Sequence, residues 1–431
     1  MKNKLRAELW DKLHFILSHS TDRMIRVALW YDGLIQIDAL KKALEHVTGK
    51  NPILHSSFRY HAMNPYWEIQ HYSIDDILTV TETNHPEQAT QQFFRQVIPT
   101  ESKVQYKVVV INHNSNSKLC MIINHMCMDG RAIQIFLSQV ADSYSRITKS
   151  LPLPEIHSGS RAHSKIYKGL TFPNRLAAAV LMKNISRIKE KRTFAYTKED
   201  PTDKLEMITV KWSGEEISAI RTAAKKNGAT VNDLLLSFYA YALYETCDFP
   251  KEEPLTITCM VDNRRHIQDK ESTGLTNHVG LMQIRVDGCG STINHTVSKM
   301  TKITVRGKKK RFFGLSGIPL IRLGYYLPFF LVKPGTLLWF LNPLLGFSNL
   351  GIVQEDLFKL GKLNVVDGLF FGPVQYKPYI SLYIHMMCNA LYFSVAVRGN
   401  DKDRQKILQL FDTMKHHMNA FVNEQHPATE T

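Results

Sequence analysis

The sequence has little cysteine: six residues in 431, at Cys120, Cys127, Cys247, Cys259, Cys289 and Cys388, with no Cys-x-x-Cys pair. No Cys/His set has the spacing of a tetrahedral zinc site, so no metal is expected. Cys120, Cys259 and Cys388 fall in apolar runs that read as buried strands, the usage of a reducing compartment. No apolar h-region follows Met1-Lys2-Asn3-Lys4, so no secretory leader is expected and the cytoplasm is the default. A clean run of about 20 apolar residues, which a spanning helix needs, is also missing. Residues 312–347 come nearest, but Pro319, Arg322, Pro328, Lys333 and Pro334 interrupt them.

Acidic residues are in deficit. There are 39 against 54 basic ones, a net charge of +15. That favours an anionic partner: a phosphorylated co-substrate, an acidic carrier protein, a membrane surface or nucleic acid. Nucleic acid is the poorest fit, because the basic residues are dispersed and accompany no recognised motif. The one run is Arg306-Gly307-Lys308-Lys309-Lys310-Arg311, just before the apolar stretch. Such a cluster beside an apolar segment marks a peripheral membrane site; the plainer reading is a basic loop leading into buried helices.

What is present is a core-forming composition, 44% hydrophobic and 22% charged, patterned as alternating strands and helices. Strands are expected at 25–30, 53–60, 106–112 and 118–124, the last two joined by the polar turn 113–117. Apolar residues at helical spacing predict helices over 38–47 and 132–144. Prolines, a basic helical segment at 174–191 and a charged stretch then suggest a connector. A second series follows, with strands at 206–212, 255–261, 280–286 and within 379–397. Helix starts are expected at Ser213 and Thr230. The division expected is 1–155, a connector at 156–204, and 205–431.

One polar segment stands out at a strand end: Asn124-His125-Met126-Cys127-Met128-Asp129-Gly130. A neutral imidazole takes a proton from an alcohol or amine near pH 7. The Gly130 N–H, opening a helix, is placed to meet an oxyanion. Local physics leaves the plain reading standing: a lone histidine at a strand end is more often structural, and Asp129 serves equally as a helix N-cap. Cys127 reads as a small packing residue.

The segment resembles the HHxxxDG signature of the condensation-domain and acyltransferase superfamily, whose fold is that of chloramphenicol acetyltransferase. Further resemblances follow in order along nearly the whole chain. They are ALEHVTGKNPILHSSF at 43–58, ATVNDLL at 229–235, Val261-Asp262-Asn263-Arg264-Arg265, GLTNHVG at 274–280, and Ser348-Asn349-Leu350-Gly351. DGLFFGP at 367–373 occupies the place of another family segment without matching it.

The resemblance implies a mixed α/β fold: two chloramphenicol acetyltransferase-like subdomains, each a mixed sheet flanked by helices, in a V-shaped pseudo-dimer with a central tunnel. It implies that His125 is the general base and that Asp129 pairs with Arg264 to hold the loop. Asn124 replaces the first His of the motif, a structural position. Gly130, Ser348, Asn349 and Asn277 become candidates for the tunnel wall and oxyanion. The implied activity is acyl transfer from a thioester to an alcohol or amine, with acyl-CoA or an acyl carrier as co-substrate and no bound cofactor. A monomer suffices for this. The alternatives are a free-standing peptide-type condensation enzyme served by carrier proteins, and an inactive binding homologue, which only Asn124 favours.

Overall fold

Two series of strands build two sheets, and the computed structural model describes them over residues 3–180, 192–268, 274–315, 318, 321–322, 326–339 and 344–425. The hairpin expected at the polar turn forms as Tyr106–His113 and Asn116–Asn124, antiparallel, with Val109 opposite Cys120. After Asn116 every residue of the second strand is buried, as in a sheet covered on both faces. This strand is the centre of a five-stranded sheet. Met24–Tyr31 and then Val365–Phe371 lie on one side; Tyr106–His113 and then Leu78–Glu82 lie on the other. Only the last pair is parallel.

Helices Ile37–Lys50 and Gly130–Thr148 cover one face of this sheet. Their buried stripes, Leu40, Leu44 and Val47 on one and Ile133, Phe136 and Val140 on the other, recur at helical spacing. Phe93, Phe94, Ile122 and Phe371 fill the opposite face.

The second sheet has six strands in the order Val279–Val286, Leu255–Asp262, Leu345–Ile352, Ile380–Met387, Ala390–Gly399, Lys204–Trp212. Leu345–Ile352 runs parallel to both neighbours and the other pairs are antiparallel. The two expected helix starts carry reciprocal capping boxes, Ser213 with Glu216 and Thr230 with Asp233. Each box satisfies backbone N–H groups that a helix start leaves without partners. The helix that Thr230 opens, Val231–Thr246, is buried nearly all round and packs against Asp401–Gln425. The result is a mixed α/β fold with two sheet-based lobes.

The strands Lys4–Arg6, Tyr66–Ile69, Leu78–Glu82 and Leu345–Ile352 were not expected, and three further stretches differ from the sequence expectation. Residues 53–60 are not one strand. Pro52, with its fixed φ, opens a 3-10 turn over Pro52–His55, and the strand shrinks to Ser56–Arg59. It joins a small sheet with Tyr66–Ile69 and Lys4–Arg6. Val365–Phe371 lies beyond the expected boundary yet pairs with Met24–Tyr31, Phe370 opposite Val27, so the second half contributes an edge strand to the first sheet. The basic segment expected at 174–191 is helical over Phe172–Val180, and residues 181–191 lie outside the described ones. Among the described residues no helix is long and apolar enough to cross a membrane.

Candidate active site

The chain leaves the strand Asn116–Asn124 and enters the helix Gly130–Thr148 through five residues, His125 to Asp129. Asn124 ties the start of this loop. Its amide donates to Gln105 Oε1 at 2.8 Å and its Oδ1 accepts from the Met126 N–H at 3.1 Å. Asp129 ties the end as helix N-cap, accepting from the Ala132 N–H at 2.9 Å.

The other Asp129 oxygen faces the second lobe. Oδ2 accepts from Arg264 Nη1 at 2.9 Å and from the His278 N–H at 2.8 Å. Arg264 Nη1 also reaches Asp262, and Nη2 donates to the Thr276 carbonyl at 2.9 Å. Both members of the pair are buried. Burial alone would push the Asp129 carboxyl up; the Arg264 guanidinium and the two N–H donors outweigh it and hold the carboxyl below its usual range. Asn277, expected at the tunnel wall, lies behind the loop instead, with Nδ2 donating to the carbonyls of His125 at 2.7 Å and Met126 at 3.2 Å.

A second ion pair braces the same loop and was not read from the sequence. Arg161 grips Asp11 through Nη1 at 3.1 Å and Nη2 at 2.9 Å, and Nη2 reaches toward the Met126 and Cys127 carbonyls at 3.5 Å. Asp11 is fully buried and also accepts from the Trp67 indole N–H at 2.8 Å. The helix bearing Asp11, Leu9–Ile16, presents His14 to His125, ring centroids 4.4 Å apart and planes at 29°. The sequence held a signal for this: Trp10, His14 and Leu17 recur at helical spacing, and all three line the cavity next to His125.

That cavity, about 260 Å³, lies between the lobes. One lobe contributes Ile25, His125, Gly130 and Gln134, the other Val279, Leu281 and Ser348, and the edge strand Phe370 and Phe371. Its wall is mostly apolar. A second cavity of about 540 Å³ adjoins it, sharing Arg131, Val261, Asp262, Arg264 and Asn349. Here the lining turns basic, with Arg265 and Lys308 added. Burial pushes the His125 imidazole below its ordinary pKa and the Asp129 charge opposes the shift. The ring is therefore neutral at pH 7, the form that accepts a proton.

The family model described as Condensation domain matches residues 13–316. The chain belongs to the condensation-domain family. No curated protein sequence matches it. Solved structures of the same fold share the two-lobed architecture. The first condensation domain of the calcium-dependent antibiotic synthetase, in complex with a substrate analogue, is 12% identical with TM-score 0.72, covering 99% of this chain and 97% of that one. The trichothecene 15-O-acetyltransferase of Fusarium sporotrichioides is 12% identical with TM-score 0.73, covering 97% and 95%. The starter condensation domain of rhizomide synthetase, in complex with C8-CoA and Leu-SNAC, is 12% identical with TM-score 0.69, covering 98% and 94%.

Within this condensation fold the remaining candidates fall into two groups. Gly130 and Ser348 face the cavity from opposite lobes, and the Gly130 N–H has no backbone partner among the described residues. Asn349 also lines it, but its amide is engaged, donating to Asn232 Oδ1 at 3.0 Å and accepting from the Gly351 N–H at 2.8 Å. Cys127 is buried away from the cavity, and burial pushes its thiol up, so it is an inert packing group. Among the described residues no group of His, Cys, Asp and Glu is placed to hold a metal.

Proposed function

We propose that the protein is an acyltransferase that moves an acyl group from acyl-CoA to an alcohol or amine, with His125 as general base. The observation that carries this is a half-buried, neutral imidazole in the wall of the interlobe cavity, its loop braced by Asp129–Arg264 and Asp11–Arg161. Nδ1 is buried, so Nε2 takes the proton as the acceptor O–H or N–H attacks the thioester carbonyl. The tetrahedral oxyanion forms near the Gly130 N–H and the Ser348 hydroxyl. The C–S bond then breaks, and the leaving thiolate receives the proton from the His125 imidazolium. No acyl-enzyme is needed.

The basic second cavity suits a donor that carries phosphates, and Arg131, Arg265 and Lys308 are the groups to meet them. The C8-CoA complex of the rhizomide domain supports a CoA donor, and the trichothecene enzyme, named for 15-O-acetylation, supports a hydroxyl acceptor. The synthetase relatives support a second reading, in which the thioester arrives on a carrier protein. Transfer from a panel of acyl-CoAs and loaded carriers separates the two. With the productive donor, His125→Ala is expected to lower kcat by about 10²–10⁴, the usual worth of a general base. Equal rates in wild type and variant would remove His125 from the chemistry.

A further inference from the structure

We infer that the apolar outer face of the helix Phe329–Trp339 docks on an anionic lipid bilayer. Phe330, Leu331, Leu337 and Leu338 are all exposed, Leu338 at 78%. At 100° per residue they fall with Pro334 within one third of the helix circumference. Tyr326 and Leu327, just before the helix, extend the patch. Contiguous apolar surface of this kind marks an interaction site.

The opposite face anchors the helix. Phe329 is buried against Phe15, centroids 6.1 Å apart, and Tyr60, 5.9 Å apart. The Phe329 and Phe330 N–H groups donate to the Met63 and Ala62 carbonyls at 2.9 and 2.8 Å. The outward side chains are therefore held outward by a seated backbone. A second short helix, Phe172–Val180, repeats the arrangement. Its Ala178 packs into the small core with Leu9, Trp10 and Leu13, while Phe172, Leu176 and Val180 are exposed at four-residue spacing.

Charge selects the occupant. Between Asp287 and Glu355 the sequence has nine Lys and Arg and no Asp or Glu. Between Glu155 and Glu190 it has seven and none. Lys333 and Arg175 are exposed on the two helices, and the Arg6 guanidinium lies 6.0 Å from the Tyr326 ring. A second copy of the chain would bring two like fields together, whereas an anionic surface meets the field with its opposite. The helix is 11 residues, about 16 Å, roughly half the hydrocarbon thickness, so it lies in the interface plane and does not span.

The test is co-sedimentation of the full chain with vesicles of phosphatidylcholine alone and of phosphatidylcholine with phosphatidylglycerol. Binding to the anionic vesicles about tenfold above the neutral ones, weakened by salt, is expected. Leu331→Asp with Leu338→Asp is expected to abolish it without changing the melting temperature, since both side chains are exposed. The milder pair Leu331→Ser with Leu338→Ser is expected to reduce it as well. Equal sedimentation of wild type and both variant pairs, or none with anionic vesicles, overturns the inference. So does self-association of the wild type that the Asp pair abolishes while no lipid is bound, which assigns the face to a second copy.

Discussion

His14 stacks on His125, two imidazoles from different elements meeting face to face in the wall of one cavity. Burial holds His14 well below its ordinary pKa, and the neighbouring His125 pushes it further down. Only one of two stacked rings can carry a proton without repulsion. In the mechanism proposed above, His14 stays neutral while His125 takes the proton, and serves as the flat surface against which that ring is set. Its role there is that of a positioning residue.

His14→Ala removes the stacked ring, a contact worth about 1 kcal/mol. That corresponds to about fivefold in kcat. The donor KM is expected to stay unchanged, because His14 acts through His125. His14→Phe keeps the flat face and is expected to restore most of the rate. Steady-state kcat and KM of both variants check this. Equal impairment of the two would mean that a ring nitrogen of His14, not its face, is what the reaction needs.

Asp129→Ala leaves the buried Arg264 with the half-exposed Asp262 as its remaining ionic partner beside the Thr276 carbonyl, and a buried charge that loses its close partner costs about 3 kcal/mol. It also removes the N-cap, worth about 1 kcal/mol. Asp129→Asn retains an oxygen for the Ala132 N–H and is expected to lose less. Urea midpoints of the two variants should therefore rank Ala below Asn below wild type. Asp129→Ala with unchanged stability and rate would mean that the interlobe pair is idle.

Strands such as those at 106–124 were legible because apolar runs bounded by polar turns leave few alternatives, whereas Tyr66–Ile69, Leu78–Glu82 and Leu345–Ile352 were not read. The site was legible only in part. The place of His125 and Gly130 between a strand and a helix left the structural reading open, and it was the resemblance that singled them out, as it did Arg264. Asp11 and Arg161 were not singled out, since they are 150 residues apart and no local pattern links the two. Asn277 resembled a tunnel residue, but which way an amide faces is settled by the loop packed against it. The edge strand Val365–Phe371 was not read from the sequence, and its sheet was not either, because pairing across that sequence distance leaves no local mark.

Acid should weaken the fold over a definite window. Burial lowers His163 and His278 from 6.5 to about 3. Between those values the unfolded chain binds protons that the folded chain does not, so stability falls as pH drops below 6.5 and continues to fall until about 3. Neither ring has a hydrogen-bond partner among the described residues, and His163 packs against Tyr167 at 5.6 Å. His163→Phe is therefore expected to be neutral or stabilising at pH 7 and to flatten the decline between pH 6.5 and pH 4. Urea midpoints across that range measure it. A decline as steep as the wild type's would mean that the folded His163 takes up protons freely.

Gly130 decides how much room the cavity has beside His125. A Cβ there would meet Leu350 Cδ2 at 2.5 Å, the far end of a flexible side chain that also lines the cavity. Gly130→Ala therefore leaves the fold intact, within about 0.5 kcal/mol, by turning Leu350 into the open space. The space lost is about one methyl group, and a group of that size in an apolar pocket is worth about 1–3 kcal/mol. With a long-chain acyl-CoA, kcat/KM is expected to fall about tenfold, while acetyl-CoA, which needs less room, is nearly unaffected. Leu350→Ala added to Gly130→Ala returns the space and should return the long-chain rate. If it does not, the Cβ acts on the Gly130 N–H itself. Both donors should then be slowed alike, as expected of a group that meets the oxyanion common to every substrate.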